Sequence, residues 1–311
     1  MLVVTGAAGF VGANFIKLLN SYGRRDIIAI DSFKSDKHWG NLVGLDIYDF
    51  LDHRDGVDAI INKLSEFDIS GIFHIGANAD VMCQDFSVMM NDNFVHSKAY
   101  FEFAKQHKVP FVFASTSAIY GLTRNCFVDK TSEKPHNIYG MSKLMFDNYL
   151  RANDFTELSS RVVSLRFFNV FGQGESHKGH NASIPHRFAE FLQTKGFIDV
   201  FDEQIDRDYI HVSDLCEIIW QAFAADDVSN GIYNAGCGTP ISHHEIASIA
   251  AKVFSEKNNV NEEGLVTTIP LPENLQNKFQ FYTCAMDVPD WIASKATNNK
   301  QKIANYIESL L

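Results

Sequence analysis

Short apolar runs alternate with amphipathic stretches through the first half of the chain. Leu2–Thr5 is a β-branched run of the kind a parallel strand buried on both faces requires. It leads into Gly6-Ala7-Ala8-Gly9-Phe10-Val11-Gly12 and then an amphipathic stretch carrying Phe15, Ile16, Leu18 and Leu19. Ile27–Ile30 reads as a second strand ended by Asp31, and Gly71–Ile75 as a third that runs into Gly76-Ala77-Asn78-Ala79. Phe111–Ala114, followed by Ser115-Thr116-Ser117, and Val162–Leu165 read as the fourth and fifth. Helical patterns cover Asn93–Lys105 and, after Pro135, the stretch containing Tyr139. Strands and helices alternating in this way predict an α/β fold with a doubly wound parallel sheet.

Beyond Asn169 the pattern loosens. Gly172–Gly179 is polar and glycine-rich, a helix is expected over Ile184–Leu192, and strand-like pieces occupy Ile198–Phe201 and Tyr209–Val212. A helix over Ser213–Ala225 and a strand at Gly231–Asn234 are expected to return to the main sheet. Further helices are predicted at Ser242–Phe254 and Asn298–Leu311. The expected division is a Rossmann-like, dinucleotide-binding domain over 1–170 with returning segments at about 208–255. A smaller, discontinuous C-terminal substrate lobe takes about 171–207 and 256–311.

Composition narrows the classes. The 311 residues are 46% hydrophobic, enough for a substantial core, and the net charge is −11. That balance argues against binding along a nucleic-acid backbone, which needs clustered Lys and Arg. It leaves room for one nucleotide held in a local backbone nest. No apolar run approaches membrane-spanning length, and the first strand begins at Leu2, so neither a membrane span nor a signal peptide is expected. Five scattered cysteines (Cys83, Cys126, Cys216, Cys237 and Cys284) contain no C-x-x-C pair and read as reduced thiols of a cytoplasmic protein. His243-His244-Glu245 lacks any metal-ligand spacing and reads as capping or surface residues, so no metal is expected.

The chemistry concentrates in a few places. Strand, glycine turn and helix in that order suit a dinucleotide: Gly6 for the turn, Gly9 for close approach of a pyrophosphate, Gly12 for packing of helix on strand. Asp31, at the end of the second strand, suits a ribose hydroxyl, while Lys34, Lys37 and His38 behind it suit a 2′-phosphate. NADP is favoured and NAD stays open. Asp46-Ile47 is expected against the adenine. Of ten tyrosines only Tyr139 has a lysine, Lys143, four positions on. On a helix the two share a face, and an ammonium near a phenol favours its ionised form. Thr116 ends the fourth strand, where substrates bind in open α/β sheets.

The glycine turn, Thr116, Tyr139 and Lys143 together resemble the extended short-chain dehydrogenase/reductase family that acts on nucleotide sugars. Arg166-Phe167-Phe168-Asn169-Val170-Phe171-Gly172, Glu175-Ser176-His177-Lys178-Gly179 and Arg207-Asp208-Tyr209-Ile210-His211-Val212-Ser213-Asp214 resemble its ADP-L-glycero-D-manno-heptose 6-epimerase branch, from Met1 to about Asp287. The resemblance implies inversion at C6 of ADP-D-glycero-β-D-manno-heptose through a 6-keto intermediate, by a homo-oligomer serving lipopolysaccharide core biosynthesis. It implies Tyr139 as acid/base, Lys143 on the nicotinamide ribose, Thr116 orienting the reacting oxygen, and Lys178 as the second acid/base group. Lys178 holding a nucleotide phosphate is the alternative. For the cofactor it further implies Phe10, Val11, Ser32, His53, Ile75, Gly76, Ala77, Asn78, Ala79, Asp92, Asn93 and Val170. For the sugar nucleotide it implies Asn169, His180, Arg187, Phe201, Asp202, Glu203, Arg207 and Phe279. A structural salt bridge to Asp206 or Asp208 is the alternative for Arg207.

The chain departs from that pattern in four places. It has Thr116 for serine, His38 for lysine, Arg187 for histidine (with His186 adjacent) and Phe279 for tyrosine (with Tyr282 nearby). A 4,6-dehydratase would carry Asp-Glu where Ser117-Ala118 stands. A UDP-hexose 4-epimerase and a non-catalytic NADP-binding sensor remain as rivals.

Overall fold

Residues 1–32, 36–124, 126–273 and 280–311 are described in a computed structural model, with the side chains of Asp36 and Lys37 left aside. Through the first half the chain runs β1 (Leu2–Thr5), α1 (Phe10–Ser21), β2 (Ile27–Asp31), α2 (Asp36–Trp39), β3 (Asp49–Asp52), α3 (Val57–Leu64), β4 (Gly71–His74), α4 (Phe86–Met90), α5 (His96–His107), β5 (Phe111–Thr116), α6 (Ile138–Ala152) and β6 (Val162–Phe167). It continues through β7 (Asn169–Phe171), α7 (Ile184–Lys195), β8 (Ile198–Phe201), β9 (Asp206–Arg207), β10 (Tyr209–His211), α8 (Val212–Ala224), β11 (Gly231–Ala235), β12 (Ile241–Ser242), α9 (His243–Asn258), β13 (Val266–Ile269), α10 (Asp290–Ala293) and α11 (Asn299–Leu310).

Seven strands form one sheet in the order β11-β6-β5-β4-β1-β2-β3, every neighbouring pair parallel. The order reverses between β1 and β4, the crevice where open α/β sheets take ligands. Successive strand residues point to opposite faces. Leu2 and Val4 therefore join a core with α1 and α8, while Val3 joins Ile60, Phe101 and Phe146 of α3, α5 and α6. Covering both faces explains why β1 and β5 are buried along their length. The edge strand β3 escaped the sequence pattern because Asp-Phe-Leu-Asp is partly exposed throughout and never forms an apolar run.

Gly231–Ala235 returns to the sheet as expected, pairing with Val163–Phe167. A third core joins Phe188 and Leu192 of α7, Ile198 and Val200 of β8, Ile246 and Ala250 of α9 and Ile303 of α11. This packing sets α9 on the lobe side of the boundary expected near 255. Small two-stranded ladders, β7 with β10 and β9 with β12, lie between the two bodies. Among the described residues no helix is long and apolar enough to cross a membrane.

Candidate active site

The glycine turn is built for close approach. Gly6 has φ +66°, a conformation an L side chain resists, and a Cβ there would stand 2.6 Å from Gly76 Cα. The turns after β1 and β4 therefore touch, leaving a backbone cradle at the head of α1 that suits a pyrophosphate. Asp31 accepts from Ala8 N (2.8 Å) and Ser32 N (2.6 Å), which fixes its carboxylate between the two loops. His38 Nε2 lies 3.9 Å from Asp31 Oδ2, and its ring lies 5.3 Å from that of His177. Asn41, from the turn after α2, donates to Ala8 O and contacts His177 Nδ1, joining the glycine turn to the His177-Lys178 segment. Lys34, the side chain of Lys37 and Phe279 lie outside the described residues.

Around the end of β4 the predicted cofactor residues form one cluster. Asn93 is fully buried in a wide helical turn, Asn91–Val95. It accepts from Asn78 N and donates to Asn78 O and to Ser142 Oγ of α6, while Asn78 Nδ2 donates to Asp92. The strand Gly76–Ala79 follows is anchored by His74, which bonds Thr5 Oγ1 (2.7 Å) and Ser97 Oγ (2.9 Å). Burial holds that imidazole neutral. His53 packs its ring edge-on to His96 beyond β3. Asp46-Ile47 does not reach this end: Asp46 pairs with Arg25 and Asn20 at the opposite, N-terminal end of the strands, before β2 and β3 begin. Asp52 and His53 stand at the C-terminal end of β3.

Helix α6 brings Tyr139 to the end of β5. Asn137 caps it by accepting from Gly140 N (2.7 Å), and a Cβ on Gly140 would stand 2.6 Å from Ala118 O. Only glycine there lets the helix lie this close to the turn after Thr116. The buried Thr116 hydroxyl accepts from Ala118 N (3.1 Å). Burial pushes the Tyr139 phenol above its ordinary pKa, and the Thr116 hydroxyl beside it pulls the other way. The ammonium expected to lower that phenol is occupied elsewhere. Lys143 is 1% exposed, donates to Ala114 O (2.8 Å) and lies 4.4 Å from the Phe113 ring centre. Burial pushes its own pKa down to about 7 against the opposing charge of Asp147. Lys143 thus carries only part of a charge near neutrality, and burial wins at Tyr139.

Behind Lys143 lies a polar network that motif reading missed. Asp147, with no exposed surface, accepts from Ser115 Oγ, Ser164 Oγ and Arg166 Nε (2.9 Å). The buried Arg166 also bonds Glu133 (2.6 Å) and the Tyr120 hydroxyl (3.0 Å), and Arg151 closes the set on Glu133. Asp147 follows Lys143 by four residues on one helix, a spacing that would have revealed it.

Lys178 sits across the glycine turn, half-buried, its Nζ 5.1 Å from the Phe10 ring centre and 3.9 Å from Glu175. Burial lowers its pKa, and Glu175 opposes that. Nearby, Val170 lies in β7 and Asn169 donates to Asp208 O and Thr283. Arg207 donates to Gln280, whose amide donates to Gly121 O, and burial lowers its pKa to about 10. The carboxylates weighed as its partners are engaged by other groups: Asp208 accepts from the amides of Cys237, Gly238 and Ala285, and Asp206 accepts from Gln204. Phe201 ends β8, Asp202 and His180 are exposed, and Glu203 keeps a buried oxygen without a partner. His186, beside Arg187, bonds the Tyr306 hydroxyl. Among the described residues no cluster of metal-ligating side chains forms.

Residues 2–236 match the sequence pattern of the NAD dependent epimerase/dehydratase family. The chain belongs to that family. Its fold is similar to that of ADP-L-glycero-D-manno-heptose-6-epimerase from Helicobacter pylori (TM-score 0.84, 23% identity, 99% of this chain and 95% of that one). It is also similar to UDP-glucose 4-epimerase from Thermotoga maritima with UDP-glucose (TM-score 0.79, 21% identity, 99% and 97%). A third similar structure is UDP-glucose-4-epimerase from Stenotrophomonas maltophila with bound NAD and formylated UDP-arabinopyranose (TM-score 0.80, 21% identity, 99% and 97%). These likenesses carry the parallel sheet and its lobe over nearly the whole chain.

Proposed function

We propose that this epimerase/dehydratase family member inverts C6 of ADP-D-glycero-β-D-manno-heptose, using a tightly held NADP and working as a homo-oligomer. The observation that carries the reading is the presence of two proton-transfer candidates on separate elements. Tyr139 stands with Thr116 at the end of β5, and Lys178 stands over Phe10 at the glycine turn. Bound in this cradle, a nicotinamide would supply hydride abstraction and return at one carbinol carbon. Inversion then needs proton transfer at two positions, because the ketone must turn its opposite face to the same hydride donor and its oxygen moves with it.

Tyr139 holds or releases the proton at one of these positions, with Thr116 Oγ1 able both to accept from and donate to the reacting oxygen. Lys178 serves the other, its burial favouring the neutral amine that a base requires. The turns of Gly6 and Gly76, the Asp31 carboxylate and the Asn78–Asn93 cluster hold the cofactor. Arg207 holds the diphosphate. His38, near Asp31, is the described candidate for a 2′-phosphate contact.

The deciding experiment incubates the protein with ADP-D-glycero-β-D-manno-heptose and follows C6 configuration by NMR. Cofactor released by denaturation distinguishes NADP from NAD in the same preparation. A UDP-hexose 4-epimerase is the second reading, favoured by similar folds at TM-scores of 0.79 and 0.80 against 0.84. Turnover of UDP-galactose without turnover of the heptose would replace the first reading by the second.

A further inference from the structure

His243 opens α9 directly after the antiparallel ladder in which Ile241 pairs with Arg207 and Ser242 with Asp206. Its backbone N–H donates to Ile205 O (2.9 Å), which fixes the residue against the strand that carries Arg207. The cap of α9 is made by Ser242, whose hydroxyl accepts from Glu245 N (3.0 Å). His243 is therefore neither a cap nor a surface residue, and it is only 6% exposed. Its ring packs edge-on at 6.5 Å from Phe188, the neighbour of Arg187 on α7. Its Nε2 is buried with no hydrogen-bond partner.

An unpaired buried imidazole nitrogen is costly, and such groups are rare unless something outside the fold pairs with them. The surroundings indicate what that is. Arg207 and Arg187 both act electrostatically on His243, as does His244, and the helix end contributes unpaired N–H dipoles. Burial, reinforced by those cations, pushes the imidazole pKa down to about 3, so the ring is neutral at physiological pH. A neutral ring with its hydrogen on Nε2 is a donor, and such a donor held against the strand of Arg207 suits an anion.

We propose that His243 is a substrate-binding residue that donates from Nε2 to a phosphate of the nucleoside diphosphate, completing with Arg187 and Arg207 an anion subsite at the head of α9. This rests on the reading of the chain as a nucleotide-sugar enzyme. The test is titration calorimetry of ADP and UDP into the cofactor-loaded protein, where the dinucleotide site is already filled. His243→Leu should weaken the preferred nucleotide about tenfold. Its melting temperature should hold or rise, because a buried unpaired polar group has been removed. His243→Gln, which restores a donor near the Nε2 position, should recover most of the affinity. Wild-type affinity in His243→Leu would overturn the proposal, as would a joint loss of stability and affinity that His243→Gln does not rescue. A wild-type protein that binds neither nucleotide would overturn both this proposal and the function on which it rests.

Discussion

The glycine turn and the head of α9 treat buried polar groups in opposite ways, while α5 leaves His96 Nδ1 and the Tyr100 hydroxyl unpaired as well. Around the turn the fold satisfies its own polar atoms: Asp31 by two amides, Asn93 by Asn78 and Ser142, His74 by Thr5 and Ser97. In the lobe Glu203 Oε2, His243 Nε2 and His244 Nδ1 are withdrawn from water without a partner. A site whose donors and acceptors are already oriented offers a fixed cradle, which suits a cofactor that stays bound through every cycle. A site that leaves polar atoms unpaired costs stability until its ligand arrives, and it rejects ligands that cannot complete those bonds. On the proposed function the first region serves the cofactor and the second the choice of substrate.

The sharpest way to break that division is through the two proton-transfer groups. Tyr139→Phe and Lys178→Met should each lower epimerisation by about a thousandfold, within the range of general acid–base catalysis, while released-cofactor assays still find a full complement. Full turnover in Tyr139→Phe would remove its role; unaltered turnover in Lys178→Met would leave that lysine as a phosphate ligand only. The next effect is on stability. Arg166→Met leaves the carboxylates of Asp147 and Glu133 buried beside a lost cation, so about 3–5 kcal/mol of unfolding free energy should disappear in a denaturant titration. A change within experimental error would mean that Arg151 and the serine hydroxyls suffice. Smaller again is Arg207→Met, expected to weaken nucleoside diphosphate binding by about ten- to a hundredfold without changing cofactor content. Loss of cofactor together with nucleotide would show that the two regions are not separable.

The same division decides what the sequence alone could disclose. Strands buried on both faces were legible as apolar runs, and Gly6, Tyr139 and Lys143 were legible because short motifs impose their spacing within one turn or helix. The edge strand β3 was not, since its Asp-Phe-Leu-Asp has no buried side to mark it. The polar network joins Asp147, Arg166, Glu133, Tyr120 and Asn234 from separate elements. No local pattern announces such a set. His243 shows the limit most plainly. A histidine at a helix start looks like a cap, and only its packing against Phe188 and the ladder to Arg207 turns it inward.

Lys143 offers the finest test, because burial keeps its charge at a loss within the cofactor half. Its ordinary pKa of 10.5 falls to about 7 on folding, mainly through burial. Between those values the unfolded chain holds the proton and the folded one has released it, so stability from this group rises as pH climbs from about 7 toward about 10. Below about pH 7 both states are protonated and the full cost of a buried ammonium is present. Lys143→Met removes that cost and leaves Asp147 with its serine and arginine partners. The variant should therefore melt a few degrees higher than wild type at about pH 6, with the gap closing by about pH 10. Parallel melting curves across that window would mean that the Ala114 carbonyl and Asp147 already compensate the ammonium. Lys143 would then be as fully satisfied as Asp31 and Asn93, and the unpaired groups would be those of α5 and the lobe, among them His96, Tyr100, Glu203 and His243.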